Sequence, residues 1–497
     1  MENLIELVQI INKRKLSQIE ILDKSLLSRK DTLFSKLYNG IADGIIKNDD
    51  DALQYLYGND KESTNYRKLK SRFKERLLNT LYFIDMNHTA ESDSSKKAYF
   101  DCMNHLYLSN ILLRYAENRN ASIQLILDNY TSAKKHHFFD ILKEYSYKLV
   151  VHYGMSGNEK KYTEELSAYK QYYNEYDFEQ KAQLIYTNVM MITHYAKNAT
   201  EIKEKEIKKC CDEIEALVKQ SQSLVVFFIY IRTLLFYHEI KGDNVNINKT
   251  CDKYLSQYKK YLSSILSDSY LNTIYIYKLK SLFDLRKDEE SLHLIDTILP
   301  NAKGASFLAV NEFKMKILLN QQNTQAARET LHHIHSSTYF KSANALLKER
   351  WFVYNAFLEF IEQYKNNGNF KFSLSKFNND IPLVSQDKSG FNFAARVINI
   401  LFYIGRNDLD NAMQHIEALK IYQIRHFKED TYFRSIQFTK QLLSVEKKSF
   451  NYKELHKIYD SNHLLGQDDK HVIHESEIIR YDKLWQIILN TLKRNEQ

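Results

Sequence analysis

Apolar residues recur at helical spacing along most of the chain, and short polar turns interrupt them. Between residues 402 and 422, an apolar run ends at Ile404, and a polar patch from Arg406 to Asn411 follows. A second apolar periodicity then begins with Ala412 and Ile416. Because residues four positions apart lie on one face of a helix, this pattern predicts two helices joined by a tight turn.

The same motif recurs upstream: a residue that is usually small follows a polar turn, and an apolar residue follows four positions later. We call this pattern the hairpin motif. Its first positions are Ala121, Tyr162, Cys210, Cys251, Ser291, Ala327, Ser373 and Ala412. Successive copies lie between 36 residues (291 to 327) and 48 residues (162 to 210) apart. A single hairpin cannot bury both of its faces, so the sequence predicts an all-α protein of stacked helical hairpins, an α-solenoid.

Two copies of the hairpin motif resemble a known repeat family. Ala412 with Ile416, and Ala327 with Leu331, resemble the small residue and the following large apolar residue in the second helix of tetratricopeptide repeats. Gly405 is similar to the turn glycine of that family. The resemblance covers roughly residues 95 to 460, lacks the family's Trp-Leu-Gly-Tyr pattern and closing proline, and has a longer period than about 34 residues. It implies a degenerate tetratricopeptide-like solenoid whose concave surface binds a peptide or another protein.

The N-terminal region departs from this repeat. Its pattern predicts three helices, over residues 31–45, 48–58 and 63–85, with Asn48 or Asp49 as a cap and Gly58 as a stop for the second helix. Three short helices that end in a basic one resemble a helix-turn-helix module.

The domain organisation follows from this change of pattern. We expect residues 1–86 to form a small helical module and residues 97–497 to form the solenoid. The polar stretch over residues 87–96 is the predicted linker between them.

The third predicted helix has an apolar face and a basic face. The apolar face consists of Tyr66, Leu69, Phe73, Leu77 and Leu81. The basic residues are Arg67, Lys68, Lys70, Arg72, Lys74 and Arg76. Such a helix can lie against the phosphates of a nucleic acid or against an acidic protein, and basic residues are also common on solvated helix faces. These six residues are the candidate contact site.

Composition supports long helices and does not identify a partner. The 497 residues are 44% hydrophobic but include only 2 prolines and 11 glycines, and a sheet protein of this size needs many more turn residues. The 70 basic and 62 acidic residues give a net charge of +8, which permits an acidic partner without requiring one.

The chain carries no sequence motif of a catalytic or metal site. The four cysteines lack zinc-ligand spacing, and no phosphate-binding glycine loop or GxSxG nucleophile motif is present. His332 and His335, like His471 and His474, stand three positions apart, but they lack an HExxH pattern and are best explained as helix-surface residues. We therefore expect no catalytic residue, no metal, no cofactor and no enzymatic activity.

The expected location is the cytoplasm. The first 22 residues show an amphipathic pattern of mixed charge, unlike the basic start and apolar core of a signal peptide. The most apolar run, residues 224–231, is far shorter than the roughly 20 residues that a membrane span needs. We expect no membrane contact.

Two hypotheses for function follow. The first is a non-catalytic interaction or scaffold protein that binds a protein or peptide through its helical-repeat surface. The alternative is a nucleic-acid-associated regulator, in which the basic N-terminal module contacts nucleic acid and the solenoid acts as a sensor or assembly surface. The sequence leaves the identity of the partner and the oligomeric state open.

Overall fold

The regular secondary structure in the computed structural model of the protein is all helical over the residues it describes. Those residues are 32–58, 63–81, 94–115, 120–195, 200–261, 268–366, 370–386, 390–427, 432–459 and 476–496. No strand occurs among them, and helices that are neighbours in the chain pack against each other. The predicted all-α class is therefore confirmed.

The helices range from 4 residues (α15) to 37 residues (α7) and are joined mostly by brief turns. In chain order they are α1 (Leu33–Ala42), α2 (Asp49–Tyr57), α3 (Ser63–Leu81), α4 (Ser94–Tyr115), α5 (Asn120–Lys135), α6 (Phe139–Met155), α7 (Glu159–Tyr195), α8 (Thr200–Val218), α9 (Leu224–Ile240), α10 (Asn244–Tyr261), α11 (Asp268–Asp284), α12 (Asp288–Ile298), α13 (Gly304–Asn320), α14 (Thr324–Ser336), α15 (Thr338–Lys341), α16 (Ala345–Lys365), α17 (Leu374–Asp380), α18 (Pro382–Gln386), α19 (Phe391–Gly405), α20 (Leu409–His426), α21 (Phe433–Lys447), α22 (Tyr452–Tyr459) and α23 (Tyr481–Asn495). A 3₁₀ turn over Leu299–Asn301 follows α12.

The chain divides into two compact units, Met1–Tyr173 and Asn174–Gln497. The described part of the first unit contains α1 to α6 and the beginning of α7. The predicted linker over residues 87–96 lies outside the described residues except for its last three, which belong to the start of α4. The predicted boundary between a module at 1–86 and a solenoid at 97–497 stays a prediction.

One turn geometry recurs along the chain and was not predicted. Three residues separate the two helices, and the middle one has a positive φ; these middle residues are His137, Gly157, Gly242, Arg286, Gln322 and Asn407. The next amide donates a hydrogen bond to a carbonyl five residues earlier, as Asn323 does to Leu318 at 2.9 Å and Asp408 to Tyr403 at 2.9 Å. This bond is typical of the Schellman motif, which satisfies the last carbonyls of a helix.

The same turn also starts the following helix. In four of the six turns the third residue is Asn or Asp, and its side chain accepts a hydrogen bond from the backbone amide three residues later; these residues are Asn158, Asp243, Asn323 and Asp408. One short segment thus caps both helices, which explains how a chain with so few glycines and prolines makes tight helical hairpins.

The structure supports the hairpin motif at most of its positions. The first residues of six copies are buried: Ala121, Cys210, Cys251, Ser291, Ala327 and Ala412. Tyr162 is instead exposed, and Ser373 is the exposed N-cap of α17. Gly405 is not the left-handed turn residue: it ends α19, and a Cβ added there would lie 2.7 Å from the ring of Phe370. Close packing therefore explains Gly405, whereas Asn407 makes the turn.

The largest hydrophobic core lies in the second unit and draws residues from α11 through α23. Trp351 and Trp485 are both fully buried within it. The segment from Ser476 to Arg480, which precedes α23, is also buried although it is not helical. The second unit therefore encloses part of its own chain among its helices.

All four cysteines are buried free thiols. Within the described ranges, no helix combines the length and the apolar character needed to cross a membrane.

Candidate functional site

The basic helix predicted near the N-terminus is α3, and it packs only partly. Tyr66, Leu69 and Phe73 are buried against α1 and α2, as predicted. Leu77 and Leu81, predicted to continue that face, are 37% and 59% exposed. The reason is length: α3 has 19 residues, about 28 Å, whereas α1 and α2 have 10 and 9. The C-terminal part of α3 therefore extends beyond its two neighbours.

Two of the six basic residues of α3 contact the module itself. Lys70 Nζ lies 2.6 Å from Asp49 Oδ1, and the Tyr66 hydroxyl donates to the same oxygen at 2.7 Å. These bonds, with that from Lys70 the stronger influence, lower the pKa of Asp49. The Arg76 guanidinium lies 4.0 Å from the centre of the Phe34 ring, a cation–π contact. Lys70 and Arg76 therefore have partners within the module, on α2 and α1, although the Lys70–Asp49 pair is itself exposed.

The other four basic residues face outward. Arg67, Lys68, Arg72 and Lys74 are exposed, with Glu75 between them on the same side of the helix. Four cations on one helical surface are compatible with phosphates or with an acidic protein. The predicted set of six thus divides into two structural residues and four that are accessible to a partner.

A second surface, which sequence reasoning missed, lies on α4 and α6. Six large apolar side chains there are between 37% and 71% exposed: Phe100, Met103, Tyr107, Tyr147, Val151 and Met155. The first three stand at i, i+3 and i+7 on α4, and the last three at i, i+4 and i+8 on α6, so each set follows one helix face. We call this group the apolar face.

Specific contacts hold these two helices side by side and parallel. The Tyr99 hydroxyl donates to Asp140 at 2.7 Å, and the Tyr145 hydroxyl donates to the Cys102 carbonyl at 2.7 Å. Further along, Lys148 donates to the Asn110 side chain at 2.6 Å. Because contacts advance along both helices together, the two exposed sets form one surface.

Each of the two helices also has a buried apolar side. Cys102 and Leu106 of α4, and Tyr145 and Leu149 of α6, are buried. A helix that is apolar on two sides usually lies inside a protein, so its sequence pattern does not reveal which side is exposed. Only the packing identifies the apolar face.

Mostly positive charge borders the apolar face. Lys96 and Arg114 are exposed on α4, and Lys148 of α6 lies between the helices. Two carboxylates of α6 lie on the same stripe as Tyr147 and Val151: Asp140 accepts from the Tyr99 hydroxyl at 2.7 Å, and Glu144 forms an ion pair with Lys143 at 2.8 Å.

In the second unit, the buried segment before α23 is held by ion pairs and by its backbone. The Glu477 carboxylate accepts from Arg434 at 2.8 and 2.9 Å, and both side chains are buried. Arg480 donates to Asp288 at 2.6 and 2.9 Å. The Asn320 side chain accepts from the Arg480 amide at 2.9 Å and donates to the Ile478 carbonyl at 3.1 Å. The side chains of Asp288, Asn320 and Arg434 in the interior of the second unit are therefore bonded to this segment of the chain.

The one histidine pair that lies within the described residues, His332 and His335, provides no metal site. His332 is exposed, and His335 stacks on Phe340 with ring centres 4.9 Å apart, which leaves a surface role for both. His471 and His474 lie outside the described residues. Across the described ranges, no group of three or more His, Cys, Asp or Glu side chains is arranged to hold a metal ion.

Comparison with known proteins identifies no relative: the chain matches no family model, no curated protein and no solved structure.

Proposed function

We propose that this chain is a non-catalytic interaction protein, built as a degenerate tetratricopeptide-like α-solenoid, which binds a protein partner through the apolar face of α4 and α6. The observation that carries this proposal is the exposure of six large apolar side chains on two adjacent, parallel helices. Contiguous exposed apolar patches on a protein surface mark interaction sites. Met103 and Met155 add flexible side chains that adapt to a partner's shape.

Site-specific photo-crosslinking in the native host tests this proposal. A benzoylphenylalanine in place of Phe100 in the full chain should form a covalent adduct with a defined partner. Val151→Glu in the same chain should abolish that adduct, because a carboxylate on the apolar face opposes desolvation. The matched control replaces Phe352, an exposed aromatic residue of α16 in the second unit. Adducts that survive Val151→Glu, or that form equally from position 352, contradict the proposed surface.

A second candidate function is nucleic-acid binding by α3, favoured by its four outward cations. In this proposal the N-terminal module contacts phosphates, and the repeat unit acts as a sensor or assembly surface. Each phosphate contact releases about 0.9 counterion on duplex DNA, so the affinity should fall steeply with salt.

The test for this function avoids the residues that hold the module together. Reversing Arg67, Arg72 and Lys74 to Glu should abolish binding to a duplex or single-stranded probe while the helicity is kept. A control with the same change in charge reverses Lys170, Lys205 and Lys249, which are exposed on other helices. Wild-type protein without salt-sensitive binding to any probe would exclude this function.

We also propose a cytoplasmic location. All four cysteines of the chain are free, which fits a reducing compartment. Fractionation of the native host, with the endogenous protein detected by antibody, tests it.

A further inference from the structure

We infer that the partner segment recognised by the apolar face is an amphipathic helix of about five turns that carries acidic residues at its ends. This inference rests on the proposed function and adds the chemistry of the partner. Three independent features of α4 and α6 support it: the shape of the surface, the state of its backbone groups, and the position of its charges.

The shape of the surface favours a helix. Two parallel helices in contact leave a groove along their line of contact, and a third helix can pack on both at the usual interaxial distance of about 8–10 Å. The exposed side chains on α4 repeat at i, i+3 and i+7, which is the spacing with which a packed helix presents its own apolar residues. The groove therefore offers complementary ridges to a helical partner.

The backbone of the surface disfavours an extended partner. In the middle of α4 and α6, the backbone amides and carbonyls are bonded within their own helices. An extended peptide over these six apolar side chains would bury its own amides and carbonyls with no backbone partner, which is unfavourable. A helix satisfies those groups internally, so the apolar face can be covered without this loss.

The charges at the border of the apolar face indicate the length of the partner helix and the sign of the charges at its ends. Lys96 and Arg114 are 18 residues apart, which is five turns and about 27 Å along α4, so both lie on the side that carries Phe100 and Tyr107. Lys148 adds a third positive charge beside Asn110, one turn before Arg114, whereas Glu144 is paired with Lys143. An acidic residue at each end of a five-turn helix would meet Lys96 and Arg114.

The position of Lys96 itself points to a partner. It stands in the first turn of α4, where the helix dipole favours a negative charge and disfavours a cation. Lys97 stands beside it, and no acidic residue is present in that turn. An acidic ligand beside Lys96 would offset the unfavourable interaction of its charge with the dipole, so binding would stabilise the beginning of α4.

Two synthetic probes test the inference with the full chain. Both are fluorescent, side-chain-stapled 19-residue helices with the same leucine stripe at i, i+3 and i+7; one has Glu at both ends and the other has Lys. Anisotropy titrations should show at least tenfold tighter binding of the Glu probe. The double variant Lys96→Glu and Arg114→Glu should reverse this preference, whereas the control Lys205→Glu and Lys249→Glu in the second unit should not change it.

The outcomes separate this inference from the proposed function. Equal binding of both probes that is lost in both Val151→Glu and Met103→Glu, with circular dichroism unchanged, would overturn the acidic partner and retain the docking face. Absence of binding by either probe, or binding that neither variant weakens, would overturn the docking face as well. If the variant with Lys96→Glu and Arg114→Glu still binds the Glu probe more tightly than the Lys probe, the inference is also contradicted, because Lys96 and Arg114 would not be the cause of the preference.

Discussion

At the residue scale, Asp284 has an unusual environment for a carboxyl group. It is the last residue of α11, and its Oδ2 atom is buried without a hydrogen-bond partner. Burial is the largest influence on the pKa of Asp284 and raises it to about 7. Lys280 and Lys316 oppose this shift, whereas Glu477 and Glu239 add to it. The charged form of Asp284 is therefore disfavoured in the folded protein.

This environment predicts a pH-dependent effect of Asp284→Asn. Because the pKa of Asp284 is higher in the folded state than the ordinary value of 3.8, its charged form reduces the free energy of unfolding as the pH rises from about 4 to about 7. The Asn variant removes that loss. It should be more stable than the wild type at pH 8 by of order 2–4 kcal/mol and nearly equal at pH 4. Urea denaturation of both proteins at the two pH values measures the difference, and a pH-independent difference would contradict this account.

The left-handed residues of the recurrent turns lead to a second prediction. Gln322 has a φ of 55°, a conformation that is unfavourable by about 1–2 kcal/mol for most side chains. Gln322→Gly should therefore stabilise the protein by about 0.5–1 kcal/mol, after the entropy of glycine in the unfolded chain is included.

The neighbouring residue is the matched control for this change. Gln321 has a φ of −84°, which any residue adopts. Gln321→Gly should therefore destabilise by about 0.5–1 kcal/mol, since glycine there only adds unfolded-state entropy. Thermal denaturation should show a higher Tm for Gln322→Gly and a lower Tm for Gln321→Gly. If both variants change the Tm in the same direction, the explanation is wrong.

At the element scale, the hairpin motif marks where two helices approach each other. Ala412 is fully buried on α20, which packs against α19, and Gln414 is exposed two residues later. Ile416, one turn further on, is also fully buried. A small side chain at position 412 therefore lets the backbones come close while Ile416 fills the space beside it.

Substitution by tryptophan tests this arrangement. Ala412→Trp should overpack the α19–α20 contact and destabilise by of order 1–3 kcal/mol or more. Gln414→Trp, which adds the same side chain on the exposed side of α20, should be near neutral. Chemical denaturation compares the two variants, and equal tolerance would show that the motif has no packing role.

The sequence predicted an element correctly where its residue types have a strong local conformational preference. Asn48 and Gly58 bound α2 as predicted, because the capping chemistry of Asn and Gly is local. The left-handed turns at Arg286 and Gln322 were missed, since neither residue type favours a positive φ.

For the candidate sites, the sequence identified residue types but did not show which side chains are accessible. The sequence identified the basic residues of α3, but only the fold shows that Lys70 and Arg76 bind within the module. The exposed side of α4 could not be predicted, because Leu106 and Tyr107 are both large and largely apolar and are only about 100° apart around the helix. Tertiary packing, rather than local pattern, decides which of them is accessible.

At the scale of the whole molecule, the second unit is not only a row of neighbouring hairpins. Arg480 contacts Asp288 across 192 positions of sequence. Glu477 binds Arg434 in the same interior, and neither side chain has appreciable exposure. Repeat proteins rely mainly on contacts between neighbours, so these pairs add a long-range constraint.

Removing one member of the buried pair should be more damaging than removing both. Glu477→Ala removes both carboxylate hydrogen bonds from the buried Arg434, which keeps Asp482 at 3.9 Å, and takes the acceptor from the Tyr481 amide, so it should destabilise by about 3–5 kcal/mol. The double change Arg434→Met and Glu477→Leu should recover part of that loss, because the buried charge is gone while the Tyr481 amide still lacks its carboxylate acceptor. Glu290→Ala, which breaks an exposed pair with Lys287, should stay within about 0.5 kcal/mol. Urea denaturation measures the stability of all three variants. Equal effects of the single and the double change would show that the buried Arg434 charge is not the cause of the destabilisation.

The buried segment also has a consequence for how the chain is made. At a synthesis rate of about 5–20 residues per second, the 192 positions between Asp288 and Arg480 take about 10–40 s to appear. During that interval α11 to α13 have emerged from the ribosome, but Asp288 and Asn320 have no Arg480 to bind. The nascent hairpins of the second unit therefore expose polar groups and part of the apolar core to solvent until the last segment of the chain has been synthesised.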